Sequence, residues 1–150
     1  MSRQPPDVSS AVTSFQDRIR IEAAIATVWD VILDFPSYPL WNSFVRSQAI
    51  TDASYKPLLA HPTPTEGAPI LMHTRIPPRG LADNDKGLRA TKAVITVVDH
   101  ANHRIAWREA GLPDWLLRAE RWQELTEEQV DGRTFTTFMT VEVGPHLLAL

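Results

Sequence analysis

The sequence contains no cysteine, which excludes disulfide bonds, thiolate nucleophiles and metal sites built on cysteine sulfur. It also lacks any run approaching the roughly 20 apolar residues that a membrane-spanning helix needs. The opening residues, MSRQPPDVSSAV, do not have the basic-then-apolar order of a signal peptide, and there is no Asn-x-Ser/Thr glycosylation site. We therefore expect a cytoplasmic protein without a membrane span.

An excess of positive charge is absent as well. The 15 Lys and Arg and 18 Asp and Glu residues give a formal net charge of -3 and are mixed along the chain, so no basic stripe is available for a phosphate backbone. Nucleic acid is therefore not an expected partner. The sequence has no G-x-S-x-G, no glycine-rich phosphate loop and no HExxH, and His100 and His103 have no evident third ligand beyond Asp99. Neither a metal ion nor a cofactor is predicted.

The composition that is present suits one globular domain. A chain of 150 residues with 43% hydrophobic residues is long enough to bury a single core. Residues 1–12 are polar and contain two prolines without helical or strand periodicity, which predicts a flexible N-terminal tail. Residues 13–150 are predicted to form the domain.

Helical periodicity is confined to one segment, in which the apolar residues are Ile25, Val28, Trp29, Ile32 and Leu33. This helix is expected to end at Phe35, because Pro36 disfavours helical geometry in the residue before it. Ser37 then fits the N-cap of a short second helix that extends to Phe44.

Alternating patterns typical of strands occur in seven segments: residues 15–21, 44–50, 70–76, 91–99, 103–110, 115–125 and 133–142. Turn-rich pieces separate most of them, and residues 53–69 form a long proline-containing loop. This order predicts an α+β fold, an antiparallel meander with helices on one side.

Three segments resemble the START-related proteins of the SRPBCC superfamily. IEAAIATVWDVILDFPSYPLWNSF (residues 21–44) is similar to the front end of the family, and HRIAWREAGLPDWLLRAERWQEL (103–125) and DGRTFTTFMTVEVGP (131–145) are similar to its later strands. The resemblance implies a helix-grip fold, in which a curved seven-stranded sheet wraps around a long C-terminal helix. It also implies a cavity between them for an apolar or aromatic small molecule.

The C-terminal helix of that family is expected to be truncated or largely absent here, because only HLLAL follows Gly144 and Pro145. Those residues make about one and a half helical turns. A shortened chain, a natural variant with a more open groove and a partner chain that supplies the cover all fit this observation. An uncovered concave face favours self-association, so a homodimer is an expectation.

The hairpin within residues 103–125 supplies the strongest candidates for chemistry, because residues two apart share a face of a strand. The more apolar set is assigned to the cavity: Ile105, Trp107, Glu109, Trp115, Leu117, Ala119, Arg121 and Gln123. Arg121 would then hold an oxyanion, enolate or carboxylate, and Glu109 would take or hold a proton. Alternatively, the two charges pair with each other or lie in water at the strand ends.

The remaining candidates rest on weaker patterns. Trp107 and Trp115 would stack on a flat ligand or simply form core, and Trp41 and Asn42 would brace the helix pair or contact the ligand. The faces of His73 and Arg75 are ambiguous, because both faces of that strand contain apolar residues. The predicted catalytic residues are Arg121, Glu109 and His73. The predicted ligand contacts are Trp41, Asn42, Met72, Arg75, Trp107, Trp115, Leu117 and Phe138.

The function implied first is a cyclase or dehydratase of secondary metabolism that acts on a polyketide or terpenoid intermediate, including by a pericyclic closure. In such an enzyme the cavity shape would hold the reacting atoms together. A non-catalytic carrier of a hydrophobic ligand and a protein-interaction module completed by a partner helix are the alternatives. A titratable group inside the cavity distinguishes the enzyme from the carrier.

Overall fold

The protein is described by a computed structural model over residues 3–10, 13–81, 87–111, 113 and 119–144. Its strands are β1 (Ser14–Ile21), β2 (Val45–Ile50), β3 (Pro69–Thr74), β4 (Arg89–Asp99), β5 (Arg104–Glu109), β6 (Glu120–Val130) and β7 (Arg133–Val143). They form one antiparallel sheet in the order β1-β7-β6-β5-β4-β3-β2. The predicted α+β meander is therefore confirmed, and the predicted start of the sixth strand, at Trp115, lies outside the described residues.

Helix α1 (Ile25–Leu33) lies against the inner face of the sheet and buries Val28, Trp29 and Ile32. Its N-cap residue is an alanine without a capping side chain, so a carboxylate from another element satisfies the first turn. Glu127 of β6 accepts a hydrogen bond from the backbone N–H of Ile25 at 2.8 Å. This contact fixes the start of α1 on the sheet.

The stretch after α1 bends sharply, as Pro36 predicts. A 3₁₀ turn (Phe35–Ser37) and helix α2 (Tyr38–Trp41) together form what we call the elbow. Ser37 does not cap α2 with its side chain, contrary to the prediction, because its hydroxyl donates to the Asp34 carboxylate instead. Tyr38 is buried and its hydroxyl donates to the Ile32 carbonyl at 2.8 Å, which joins the elbow to α1.

The predicted second helix is shorter than expected, because the chain leaves helical geometry at Asn42. The Asn42 side-chain oxygen accepts hydrogen bonds from the backbone N–H groups of Phe44 at 3.0 Å and Val45 at 2.8 Å. A short polar side chain can form such local bonds in place of helical ones. Asn42 therefore turns the chain from the elbow into β2.

The sheet buries side chains on both faces. The concave face, together with α1 and the elbow, forms the larger core, which includes Trp29, Phe35, Tyr38, Ile70, Ile95, Ile105, Trp107 and Leu125. The convex face carries a smaller cluster of Val97, Ala106, Trp122, Val141 and Val143. The face of β6 predicted to be solvated is thus covered at Trp122, which is only 1% exposed.

Part of that cover comes from the segment predicted to be a tail. Val8 packs against the convex cluster, and the Arg3 guanidinium lies 5.5 Å from the centroid of the Trp122 ring. Arg3 also pairs with Glu120 at 3.1 Å. The flexibility assigned to residues 1–12 stays a prediction, but residues 3–10 have a defined docking surface on the sheet.

Two strands each contain one extra residue that shifts the alternation of side chains. In β2 the register shifts between Val45 and Ser47, which makes Arg46 the extra residue. In β4 the shift lies between Ile95 and Val97, which makes Thr96 the extra residue. Because of such a bulge, odd-numbered residues face one side of the sheet before it and the opposite side after it.

The edge of the concave face at β1 is open to solvent. Phe15 and Ile19 are 56% and 54% exposed, although they pair with the inward-facing Glu142 and Phe138 of β7. The HLLAL segment that was expected to form the truncated helix lies outside the described residues. A homodimer or a partner helix over this edge stays a prediction.

Candidate functional site

A cavity of about 200 Å³ opens where β3, β5 and β7 end and β2, β4 and β6 begin. Its lining comes from these strands and the adjoining loops: Phe44, Val45, Met72, Thr74, Ile76, Arg89, Thr91, Ala93, Trp107, Glu109, Ala119, Arg121 and Glu142. We call it the main cavity. The volume is below the roughly 300 Å³ at which pockets for drug-sized ligands begin, so the described part fits a compact group.

The deeper wall of the main cavity is apolar. Val45, Met72 and Trp107 are each 6–7% exposed, and Ala93 is fully buried. They lie side by side on the inner face of β2 to β5, where the sheet packs against the elbow. An apolar group in this position loses water contact at a gain of about 25 cal/mol per Å² of buried surface.

Arg121 reaches this cavity, but its charge is already compensated. Its Nε donates to the Glu142 carboxylate at 2.9 Å, and its Nη2 contacts the same oxygen. The two residues lie directly opposite each other on β6 and β7. The Arg121 guanidinium is also 5.6 Å from the centroid of the Phe44 ring, so a cation–π contact holds its other side.

Two other charged residues in the lining have no such compensation. Within the described part of the chain, neither the Arg89 guanidinium nor the Glu109 carboxylate makes a hydrogen bond or an ion pair. Glu109 pairs in register with Ala93, which lies four residues along β4 from Arg89. With a rise of about 3.3 Å per residue, the Cα atoms of Arg89 and Glu109 are roughly 14 Å apart. Thr91 lies between them on the same face of β4.

The structure brings four of the predicted site residues together. Arg121, Glu109 and Trp107 line the main cavity, on the odd-numbered face of β5 and β6, and Met72 of β3 lines it as well. Arg121 and Glu109 do not pair with each other, since Glu142 is the partner of Arg121. Trp115 and Leu117 lie outside the described residues.

His73 and Arg75 do not line the main cavity. Met72 and Thr74 point into it, so His73 between them faces the other side of β3, where its Nδ1 is 2.9 Å from the Ser47 hydroxyl. Arg75 is 4% exposed, beyond the end of β3, and its backbone N–H donates to the Phe44 carbonyl. The structure therefore separates both residues from Arg121 and Glu109.

The remaining candidates support the walls. Trp41 is 43% exposed and packs edge-on against Tyr38 with ring centroids 5.0 Å apart, and it does not reach the lining. Asn42 orders the backbone next to the lining residue Phe44. Phe138 of β7 packs against the concave core without lining the main cavity.

Sequence reasoning missed Glu142 and Arg89. A sequence signal for Glu142 was available, because Asp131-Gly132 is a dipeptide typical of two-residue hairpin turns. In the structure both residues have positive φ, and the turn pairs Val130 with Arg133. Counting back from that turn places Glu142 opposite Arg121. Arg89 had no comparable signal, since the fourth strand was expected to begin only at Thr91.

A second cleft, of about 320 Å³, lies between the end of α1, the elbow, β2 and residues 61–64. Its lining includes Asp30, Asp34, Gln48 and His61. The Gln48 side chain is 4% exposed, and among the described residues neither of its amide atoms has a hydrogen-bond partner. None of the predicted site residues lines this cleft.

The helices of the described region are short, and none is long and apolar enough to cross a membrane. In the same region, no three His, Asp or Glu side chains are grouped so that they could hold a metal ion. The charged and hydroxyl groups in the lining of the main cavity are carboxylates, guanidinium groups and threonine hydroxyls.

Comparisons with known proteins are consistent with this picture. No protein-family model matches the sequence. The Oxopyrrolidines biosynthesis cluster protein O of Penicillium oxalicum is 30% identical, and the match covers 88% of this chain and 69% of that protein. The crystal structure of the ginseng major latex-like protein 151 from Panax ginseng is similar with a TM-score of 0.60 and 6% identity, over 89% of this chain and 80% of that one. At that identity the likeness establishes the fold alone, and it confirms the predicted helix-grip architecture.

Proposed function

Because the chain belongs to the family of the Oxopyrrolidines biosynthesis cluster protein O, we propose that it binds an intermediate of secondary metabolism in the main cavity and promotes its cyclisation or dehydration. The observation that carries this proposal is the unpaired Glu109 carboxylate beside the apolar wall of Met72, Ala93 and Trp107. A carrier has no need of such a group, whereas proton transfer requires one.

In the proposed reaction the apolar body of a polyketide or terpenoid intermediate lies on Trp107 and Met72, which holds its reacting atoms close together. The Glu109 carboxylate accepts a proton from the carbon next to a carbonyl group. In a dehydration the proton then goes to the departing hydroxyl, which leaves as water. The Arg121 guanidinium, two residues along β6 from Ala119, whose carbonyl accepts the Glu109 backbone N–H, would stabilise the negative charge that develops on the carbonyl oxygen.

Two observations limit the roles of the other predicted residues. His73 lies on the opposite face of β3, so it has no part in the proposed proton transfer. Arg121 is bound to Glu142, so it acts as an oxyanion-binding group only if the substrate displaces that carboxylate. The START assignment, the cytoplasmic location and the homodimer stay predictions.

A non-catalytic carrier is the second candidate, and the predominantly apolar inner wall favours it. The third candidate, an interaction module, draws on the exposed Phe15 and Ile19 at the β1 edge. The carrier and the interaction module both predict that the protein does not convert a small molecule chemically.

The test begins with the purified protein, from which any co-purifying small molecule is identified by native mass spectrometry. That molecule is then incubated with the wild-type protein and with Glu109→Gln, and the products are separated by liquid chromatography. We expect conversion by the wild-type protein and at least about a 100-fold slower conversion by Glu109→Gln, the usual scale of general acid–base catalysis. Equal rates in both proteins would remove the proposed mechanism, and binding without any conversion would establish a carrier.

A further inference from the structure

The main cavity contains one cation and one carboxylate that no described residue neutralises, and the two lie at different ends of the same lining. Arg121 and Glu142 neutralise each other, so they leave no net charge for a ligand to balance. Arg89 and Glu109 each retain a full set of hydrogen-bonding sites. For the half-buried Glu109, an unpaired charge beside the apolar wall is costly, and a complementary ligand group removes that cost.

From this arrangement the geometry points to Arg89, rather than Arg121, as the group that recognises the ligand, and to a specific ligand class. The ligand is an amphiphilic acid: an apolar body with a carboxylate or acidic enolate at one end and an N–H or O–H donor several ångströms away. The anion binds Arg89 and the donor binds Glu109. This inference rests on the proposed function, because it requires an apolar guest in the main cavity.

The position of each residue supports its part in this inference. Arg89 is exposed at the start of β4, where an incoming anion reaches it without first entering the apolar wall. Glu109 is half-buried at the end of β5, beside Trp107 on the same strand face. Thr91 and Thr74 add hydroxyl groups to the lining, and Thr74 lies opposite Arg89 in the pairing of β3 with β4.

The experiment compares three probes with the same eight-carbon body: 1-octanol, octanoate and 8-hydroxyoctanoate. Dissociation constants are measured by isothermal titration calorimetry for the wild-type protein. We expect octanoate to bind about tenfold more tightly than 1-octanol, as a charge-assisted hydrogen bond provides. We expect 8-hydroxyoctanoate to bind at least about threefold more tightly than octanoate, because its hydroxyl donates to Glu109.

The variants assign each gain to one residue. Arg89→Gln should abolish the preference for octanoate over 1-octanol, and Arg89→Lys should retain most of it. Glu109→Ala should abolish only the tighter binding of 8-hydroxyoctanoate relative to octanoate, and it should leave the preference for octanoate over 1-octanol unchanged. Arg108→Gln, at an exposed position on the convex face of β5, is the matched control and should change neither ratio. Circular dichroism and thermal unfolding of each variant verify that it is folded.

The outcomes separate the two proposals. If 1-octanol binds and octanoate binds no more tightly, the assignment of Arg89 is overturned, while the proposed hydrophobic cavity is retained. The same conclusion follows if Arg89→Gln still binds octanoate more tightly than 1-octanol. A gain from the hydroxyl that survives in Glu109→Ala overturns the role of Glu109. If none of the three probes binds, both the inference and the proposed function fail.

Discussion

Replacing Tyr38 with phenylalanine should weaken the elbow that braces the main cavity. The Tyr38 hydroxyl is buried and donates to the Ile32 carbonyl at 2.8 Å, and phenylalanine leaves that carbonyl without a partner. An unsatisfied buried group of this kind costs about 1–3 kcal/mol. Tyr38→Phe should therefore lower the free energy of unfolding by that amount at pH 7, as measured by urea denaturation.

The same residue predicts a dependence on pH that can be calculated. Burial, and secondarily the Asp34 carboxylate, raises the pKa of Tyr38 above its ordinary value of 10.0. The unfolded chain therefore releases this proton near pH 10 while the folded protein keeps it. The stabilising contribution is complete below pH 10 and is lost above it, by about 1.4 kcal/mol at pH 11.

The wild-type protein and Tyr38→Phe should consequently differ less at pH 11 than at pH 7, by about 1.4 kcal/mol. Other groups that titrate in this range are common to both proteins and cancel in the difference. The only other tyrosine is Tyr55, in the loop after β2, so Tyr55→Phe is a matched control that should leave the pH dependence nearly unchanged. A stability difference between wild type and Tyr38→Phe that is constant from pH 7 to pH 11 would refute the reasoning.

Two further predictions concern single contacts and are measured by urea denaturation at pH 7. Glu142→Gln should lower the free energy of unfolding by no more than about 1 kcal/mol, because Glu142 and its partner Arg121 both reach solvent. Glu124→Gln, in the less exposed ion pair with Arg104 on the convex face, should cost more, and the reverse order would contradict this reasoning. Asn42→Ala should cost about 1 kcal/mol, because two backbone N–H groups at the start of β2 lose their acceptor. A loss as large in Asn42→Asp, which keeps an acceptor oxygen, would argue against that explanation.

Most of the fold was predictable because its signals are local. Alternation and the stripe of apolar residues in α1 reflect which face of each element is buried, and Pro36 marks the end of that helix wherever the chain goes next. The odd-numbered face of β5 and β6 also identified Trp107, Glu109 and Arg121 as cavity residues. These predictions depended on residues close together in sequence.

The wrong predictions concern faces and partners that are determined by contacts with residues distant in sequence. The cover of Trp122 comes partly from Val8 and Arg3, more than 100 residues away, so the pattern of β6 alone indicated a solvated face. His73 lies on a strand with apolar residues on both sides, and only the concave core, which buries Ile70 and Met72, selects the inward set. Arg121 was expected to be available to a ligand, because its partner Glu142 belongs to a strand whose register was not considered.

The extra residue in β4 has a consequence for comparing this chain with its relatives. Because Thr96 is the extra residue, a protein lacking its equivalent would keep Val97 opposite Ala106 and Val98 opposite Ile105, on the faces they occupy here. The strand of such a protein would alternate without interruption, from the inward Ile95 to the outward Val97 and the inward Val98. An alignment with a gap at Thr96 is therefore expected to match inward residues with inward residues downstream, whereas an ungapped alignment would match them with outward residues.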